Sequence, residues 1–505
     1  MRHLHKLLYL GLLAGSFQAC VKDTGNYEFA DNDLVEISMP QDLYQTYLGQ
    51  DLELVPTRHF KEAGDSVNFS HAWYINGQLV SEEPTLHYVP TEMTALSVKY
   101  YMTDKRSGVT YSDDNSLTTI YITSPYESGW AILYADAEGN SEIAHIYVDP
   151  YASGDSKYAD FTGIYQQANG EVMGSKPYKL FPYMTVSGES GVLVSQQGGQ
   201  GPVELDSKSY KRELVMNQSF TRETPSNLAP VDFGFSVGAN LFVNEDGKLY
   251  GRYFKSGQAA FTIPWMSSPI QIAKGLQVTD IWDAWFNKFK TLMLYDQQNK
   301  RVLYANGSTF YSNGGIEIKP VPAPDGGYPS NFTPVDNLGD WTYIWGGIFV
   351  DGSDLISCGM LLRSPEDQKV YFENFDFSKS SALLTPKQRK VLDGFEQLDD
   401  KTNYLEIKGK NYLLFSANNG RDLYYFDPVG GSSKLFKSYS AEITSLAMDE
   451  DEDDSNTSIA LGFSNGEVLI YDVNDIGKAG FQAQEIHRLS GLGGPVAHVK
   501  YKGRK

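Results

Sequence analysis

One two-strand unit recurs along the chain after residue 129. WAILYADAEGNSEIAHIYVD starts at Trp130, VLVSQQGGQGPVELD at Val192, LFVNEDGKLYGRYF at Leu241 and LMLYDQQNKRVLYAN at Leu292. MLLRSPEDQKVYFENFDF starts at Met360, LLFSANNGRDLYYFDP at Leu413 and IALGFSNGEVLIYDV at Ile459. Each reads as an apolar strand, a polar turn rich in Gly, Asn or Asp, and a second strand usually carrying Tyr or Phe, which is the pattern of a β-hairpin. The starts are 62, 49, 51, 68, 53 and 46 residues apart. A hairpin plus two more strands takes about 40–50 residues, the length of one four-stranded propeller blade, and the longer intervals leave room for loops. The spacing predicts an all-β fold with a seven-bladed propeller over residues 129–505. Two stacked β-sandwich domains are the competing arrangement.

The last repeat is the clearest. Residues 441–448 alternate as a strand, residues 449–454 (DEDEDD) read as a solvated loop, and Asn465-Gly466 turns the hairpin. The unit resembles a WD-type repeat, with Tyr471-Asp472 where that family often has Trp-Asp. A further strand is expected near residues 482–489. Residues 494–501 then alternate like 441–448, but no hairpin follows them. The hairpin that lacks a preceding strand is the one at Trp130. The final strand is therefore expected to close the ring by completing the first blade, which removes the open sheet edges that template aggregation.

A smaller domain is expected over residues 28–123, with strands at 34–39, 52–56, 71–75, 96–103 and 117–122. Asn76-Gly77 is a strong hairpin signal, and Trp73 in the strand before it suits the core of an Ig-like β-sandwich.

The amino end reads MRHLHKLLYLGLLAGSFQAC. Positive Arg2 and Lys6, a short apolar run and small Ala19 before Cys20 resemble a bacterial lipobox. This implies a lipoprotein signal peptide over residues 1–19, lipidation of Cys20, and a tether over residues 20–27. An acyl anchor at Cys20 would hold a folded body at a membrane. Later apolar runs are broken before they reach spanning length. Cys358, in LISCGMLL, has no cysteine left to pair with and reads as a buried small hydrophobe.

The formal charge of −21 argues against nucleic acid as a partner. No nucleophile elbow, zinc-type His pair, P-loop or dinucleotide fingerprint is found, and the histidines are scattered singly. The acidic run at 449–454 lacks the alternating ligands and Gly of a calcium loop. No metal, cofactor or catalytic residue is expected. Carboxylates are abundant enough that a glycosidase pair stays open, because sequence spacing does not report the distance across a sugar site.

The aromatic clusters are the candidate ligand-binding residues: Trp265, Trp282, Trp285, Trp341, Tyr343 and Trp345. They fall between hairpins, where innermost strands and their loops belong. On strand alternation Trp282 and Trp285 face opposite sides, whereas Trp341, Tyr343 and Trp345 share one. Exposed Trp and Tyr faces bind sugars or peptide side chains; packing between blades is the competing use of the same rings.

The stretch Cys20-Val21-Lys22-Asp23-Thr24-Gly25-Asn26-Tyr27-Glu28-Phe29 resembles the start of the PKD-like family of Bacteroidota surface lipoproteins. The join Thr123-Ser124-Pro125-Tyr126-Glu127-Ser128-Gly129-Trp130 resembles that family's transition out of its PKD-like domain. Lys22-Asp23 looks like a short surface-export signal. The resemblance implies an outer-membrane, cell-surface lipoprotein, accessory to a SusC/SusD-type nutrient importer, that binds a glycan or peptide or docks to the importer. A surface polysaccharide hydrolase or lyase, and a pure protein–protein scaffold, are the alternatives.

Overall fold

The computed structural model describes residues 34–60, 65–112, 118–149, 154–184, 190–236, 238–254, 259–283, 291–306, 316–450 and 457–503. Cys20, the signal and tether segments, Trp285 and most of the acidic run lie outside them. The chain divides into two compact units, one ending at Thr123 and the other beginning at Ser124.

In the first unit the main sheet runs Leu43–Tyr47, Thr118–Thr123, Ala95–Asp104, Phe69–Ile75, Gln78–Ser81, with Thr110–Ser112 beside Ala95–Asp104. Two short pairs accompany it, Leu34–Ser38 with Thr57–Phe60 and Leu52–Leu54 with Leu86–Tyr88. Asn76 and Gly77 both take positive φ, 49° and 81°, the turn that matches the twist of a two-residue hairpin. Strand Ala95–Asp104 alternates, burying Leu96, Val98, Tyr100, Met102 and Asp104. Trp73 is fully buried against the Tyr100 ring, centroids 4.4 Å apart, and its indole N–H donates to the Glu83 carbonyl at 2.9 Å.

The second unit is a succession of antiparallel sheets whose strands lie side by side in chain order. Pro177–Met184, Ser190–Gln196, Val203–Asp206 and Arg212–Val215 form one; Pro230–Ser236, Ala239–Asn244 and Leu249–Tyr253 the next. Val278–Trp282, Thr291–Asp296, Arg301–Asn306 and Glu317–Pro320 follow, then Thr342–Asp351, Leu355–Arg363, Val370–Ser378 and Leu384–Val391. The last two are Tyr404–Ile407, Tyr412–Ala417, Asp422–Asp427, Ser432–Ser438, and Ile443–Met448, Ser458–Phe463, Val468–Asp472, Gln484–Leu489.

One sheet departs from chain order. Gly129–Ala135, Ser141–Val148 and Tyr158–Phe161 take their fourth strand from the other end of the chain, where Val496–Lys502 pairs antiparallel with Gly129–Tyr134. The first strand of each sheet packs on the first strand of the next, and Val496–Lys502 lies between Ile443–Met448 and Pro177–Met184. The Ser445 hydroxyl oxygen accepts the Val499 N–H at 2.9 Å across that junction. The arrangement is propeller-like.

The core lies between neighbouring sheets. Trp130, Ile132, Ala144 and Ile146 meet Ala460, Val468, Ile470 and Leu489, while Phe349, Leu361 and Phe372 meet Leu413, Phe415 and Phe426. Middle strands are thus covered on both faces, so Thr291–Asp296 is buried at every position and Leu292–Tyr295 within it reads as an unbroken apolar run. Outer strands such as Ser432–Ser438 are mostly exposed and carry lysines, which blunt a free edge.

Candidate functional site

The first strands of the sheets converge on a cavity of about 190 Å³. Lys179, Asp232, Asp280, Trp345, Glu406 and Lys500, drawn from six different strands, are among its lining residues.

Two polar groupings stand on this wall. In the first, the Lys179 ammonium pairs with Asp232. Asp232 also accepts the Phe233 N–H at 2.9 Å and the Ile281 N–H at 2.8 Å, which ties one sheet to the next. Burial works against the Lys179 charge, but Asp232, helped by Asp280 and Tyr178, outweighs it and holds the ammonium pKa above its ordinary value. The Tyr343 hydroxyl donates to Asp280 and accepts the Trp282 indole N–H at 2.7 Å. Burial, reinforced by nearby Asp232, pushes the Asp280 carboxyl up to about 7, with Tyr343 and Lys179 pulling the other way.

In the second grouping Lys408 donates to Glu450 at 2.5 Å, and the Lys500 ammonium lies 3.5 Å from the same oxygen. Burial raises the Glu406 carboxyl pKa against the pull of Lys408. His498 lies on the wall near Lys179 and Lys500. Burial, and then those two cations, push its pKa well below the ordinary value, so the imidazole is neutral.

Of the candidate aromatic residues, Trp282 and Trp345 line the cavity, whereas Trp265, Trp341 and Tyr343 are not among its lining residues. Trp265 has no exposed surface: its ring packs edge-on to Phe242, centroids 5.0 Å apart, and lies under the Arg252 guanidinium at 4.6 Å. It is interior packing, because Arg252 needs an aromatic face where it pairs with buried Glu204. Trp341 lies under the Arg389 guanidinium at 4.6 Å and is not part of the cavity wall. Trp282 is buried and parallel to Tyr343, and both belong to one packing cluster together with Trp341. Trp345 packs in a different cluster, with Phe349 and Tyr404.

The expectation that Trp341, Tyr343 and Trp345 share a face is therefore corrected. A bulge between Tyr343 and Trp345 shifts the register against Leu355–Arg363 and re-aims Trp345 onto the cavity wall. Gly346 and Gly347 make that wall possible. A Cβ on Gly346 would stand 2.1 Å from the Trp282 ring, and one on Gly347 would stand 2.6 Å from Trp345.

The acidic run is also corrected at its described end. Asp449 and Glu450 are buried, not solvated. Asp449 accepts the Ser458 N–H at 3.0 Å and the Ser458 hydroxyl at 2.7 Å, and Glu450 serves the cavity. Sequence reasoning missed Lys179, Asp232, Asp280, Glu406 and His498. Their available signal is a charged or polar residue interrupting the strand that precedes a hairpin or, for His498, the closing strand. Among the described residues, no three His, Cys, Asp or Glu side chains group as a metal site, and no helix is long and apolar enough to cross a membrane.

No curated protein matches the chain. Among solved structures, a quinonprotein alcohol dehydrogenase-like protein from Bacteroides thetaiotaomicron is 11% identical at a TM-score of 0.42, over 92% of this chain and 97% of that one. A structural genomics protein of unknown function from the same organism is 10% identical at 0.31, over 94% of each. Prp20p from Saccharomyces cerevisiae is 10% identical at 0.36, over 72% of this chain and 87% of its own. The family comparison bears on the amino-terminal part of the sequence: residues 20–177 match the model of the PKD-like family, a span that runs past Thr123 through the hairpin of Trp130.

Proposed function

We propose that this chain is a non-catalytic, cell-surface binding lipoprotein. In this reading Cys20 carries the lipid that anchors it in the outer membrane, and residues 129–505 are a seven-bladed, WD-like propeller. It serves a SusC/SusD-type importer by capturing a glycan or peptide. The observation that carries the binding role is the axial cavity, where charged side chains from separate strands line one space. Holding several charges out of bulk water is costly, and a propeller core filled with apolar side chains would avoid that cost. The test is a pull-down from native outer membranes with identification of bound protein and ligand, alongside a glycan and peptide array on residues 21–505. Recovery of an importer pair or a ligand is expected; isolation of the protein alone, with an empty array, rejects the reading.

A second reading has a specific observation in its favour. An Asp280 carboxyl near 7 has the proton affinity of a general acid, which suits a surface polysaccharide hydrolase or lyase. Reducing-end release from a glycan panel, lost in Asp280→Asn, would establish it, and no turnover across that panel removes it.

A further inference from the structure

We infer that the axial cavity receives one terminal amino-sugar residue, its ammonium directed to Asp280 and a face of its ring against Trp345. This rests on the binding reading above.

Size sets the first limit. The cavity, about 190 Å³, exceeds the roughly 150 Å³ that holds a benzene-sized guest. It falls short of the roughly 300–1,000 Å³ of pockets that enclose larger ligands. It therefore admits a single ring, which is the end of a chain and not its middle.

Charge sets the second. Around Lys408 and Lys500 the carboxylates Asp283, Glu406 and Glu450 outnumber the ammoniums three to two. Around Lys179, Asp232 and Asp280 the carboxylates are also in excess. Asp232 is already served by Lys179 and two backbone N–H groups, whereas the donor to Asp280 is the neutral Tyr343 hydroxyl. An incoming primary ammonium would supply the positive charge that this side of the wall lacks, displacing the proton that burial leaves on Asp280 near neutrality. An anionic sugar would meet that excess with repulsion.

The remaining wall suits a hydroxylated ring. Trp345 and Tyr404 give an aromatic side, their centroids 6.0 Å apart and tilted by 32°, onto which the C–H face of a sugar can lie. His498 is neutral, and among the described residues its shielded Nδ1 has no hydrogen-bond partner.

Titration calorimetry of residues 21–505 tests this with glucosamine and its β-1,4 dimer as probes, against glucose, N-acetylglucosamine and triglycine. Glucosamine and its dimer are expected to bind. N-acetylation, which removes the charge, should weaken binding about tenfold or more, a comparison made on the unaltered protein. Asp280→Asn should do the same, while Lys434→Ala, on an exposed outer strand, should leave binding unchanged. Equal binding of glucose and glucosamine, triglycine binding without glucosamine, no response to any probe, or full binding by a folded Asp280→Asn each overturn the inference. Recovery of an importer or another ligand from native membranes alongside such a failure leaves the binding reading standing.

Discussion

Arg252 and Glu204 form an ion pair with no exposed side-chain surface on either partner, the guanidinium NH1 lying 2.8 Å from Glu204 Oε2. Tyr183 also donates to Glu204, and the guanidinium lies within 5.3 Å of the Tyr183, Phe254 and Trp265 ring centroids. Arg252→Met leaves a buried carboxylate uncompensated and should cost about 3–5 kcal/mol. Adding Glu204→Gln should recover part of that loss. Urea unfolding of the wild type and the two variants checks it, and a loss below about 1 kcal/mol in Arg252→Met would contradict the buried pairing.

The acid response should carry a signature of His145. Burial, and then Lys502, push its pKa down to about 3, while its ring bonds the Tyr210 hydroxyl at 3.0 Å and the Ser128 carbonyl at 2.9 Å. As the carbonyl can only accept, Nε2 carries the proton and Nδ1 accepts from Tyr210. On acidification the unfolded chain takes up this proton first, near its ordinary pKa of about 6.5. The stability that His145 contributes is thus complete above that value and is lost as pH falls toward 3. Asp280 acts oppositely: its raised pKa favours the folded state at low pH and loses that advantage as pH rises toward 7. The difference between proteins isolates His145. His145→Gln should gain on the wild type by about 1.4 kcal/mol per pH unit below 6. Parallel unfolding curves at pH 4, 5 and 7 measure this.

Gly346→Ala should destabilise the second unit, because a Cβ there overlaps the Trp282 ring. Overpacking of this kind costs about 1–3 kcal/mol. Near-ultraviolet circular dichroism would report the displaced indole, and an unchanged spectrum with unchanged stability would count against the close approach.

Cys20→Ser should release the protein from the membrane fraction without altering its unfolding midpoint. Detergent phase partitioning of both forms decides this, and retention of the serine variant in the membrane would rule out lipidation as the anchor.

The hairpins were legible because middle strands, buried on both faces, spell unbroken apolar runs bounded by Gly and Asn turns. Ile459–Phe463 with Asn465-Gly466 is one such case. The first strands were harder to read, since Lys179 and Glu406 interrupt them with charge that looks solvent-facing in sequence. The cavity itself was not legible. Asp232 and Lys179 are 53 residues apart, and only the closing of successive sheets brings them together. The bulge before Trp345 was equally hidden, because one extra residue reverses a facing assignment and leaves no mark in composition. In DEDEDD the local density of charge pointed to solvent, and the lysines that meet Glu450, Lys408 and Lys500, lie far off in sequence.

The pairing of Val496–Lys502 with Gly129–Tyr134 also orders the molecule in time. A chain made from its amino end produces the Trp130 hairpin first among these sheets and its completing strand last. Throughout that interval a row of backbone donors and acceptors waits unpaired, open to any passing strand. An interrupted synthesis would leave that vacancy permanent, however well the intervening hairpins had formed. The earliest sheet is thus the last to be finished, and its completion certifies that the whole length between has been made.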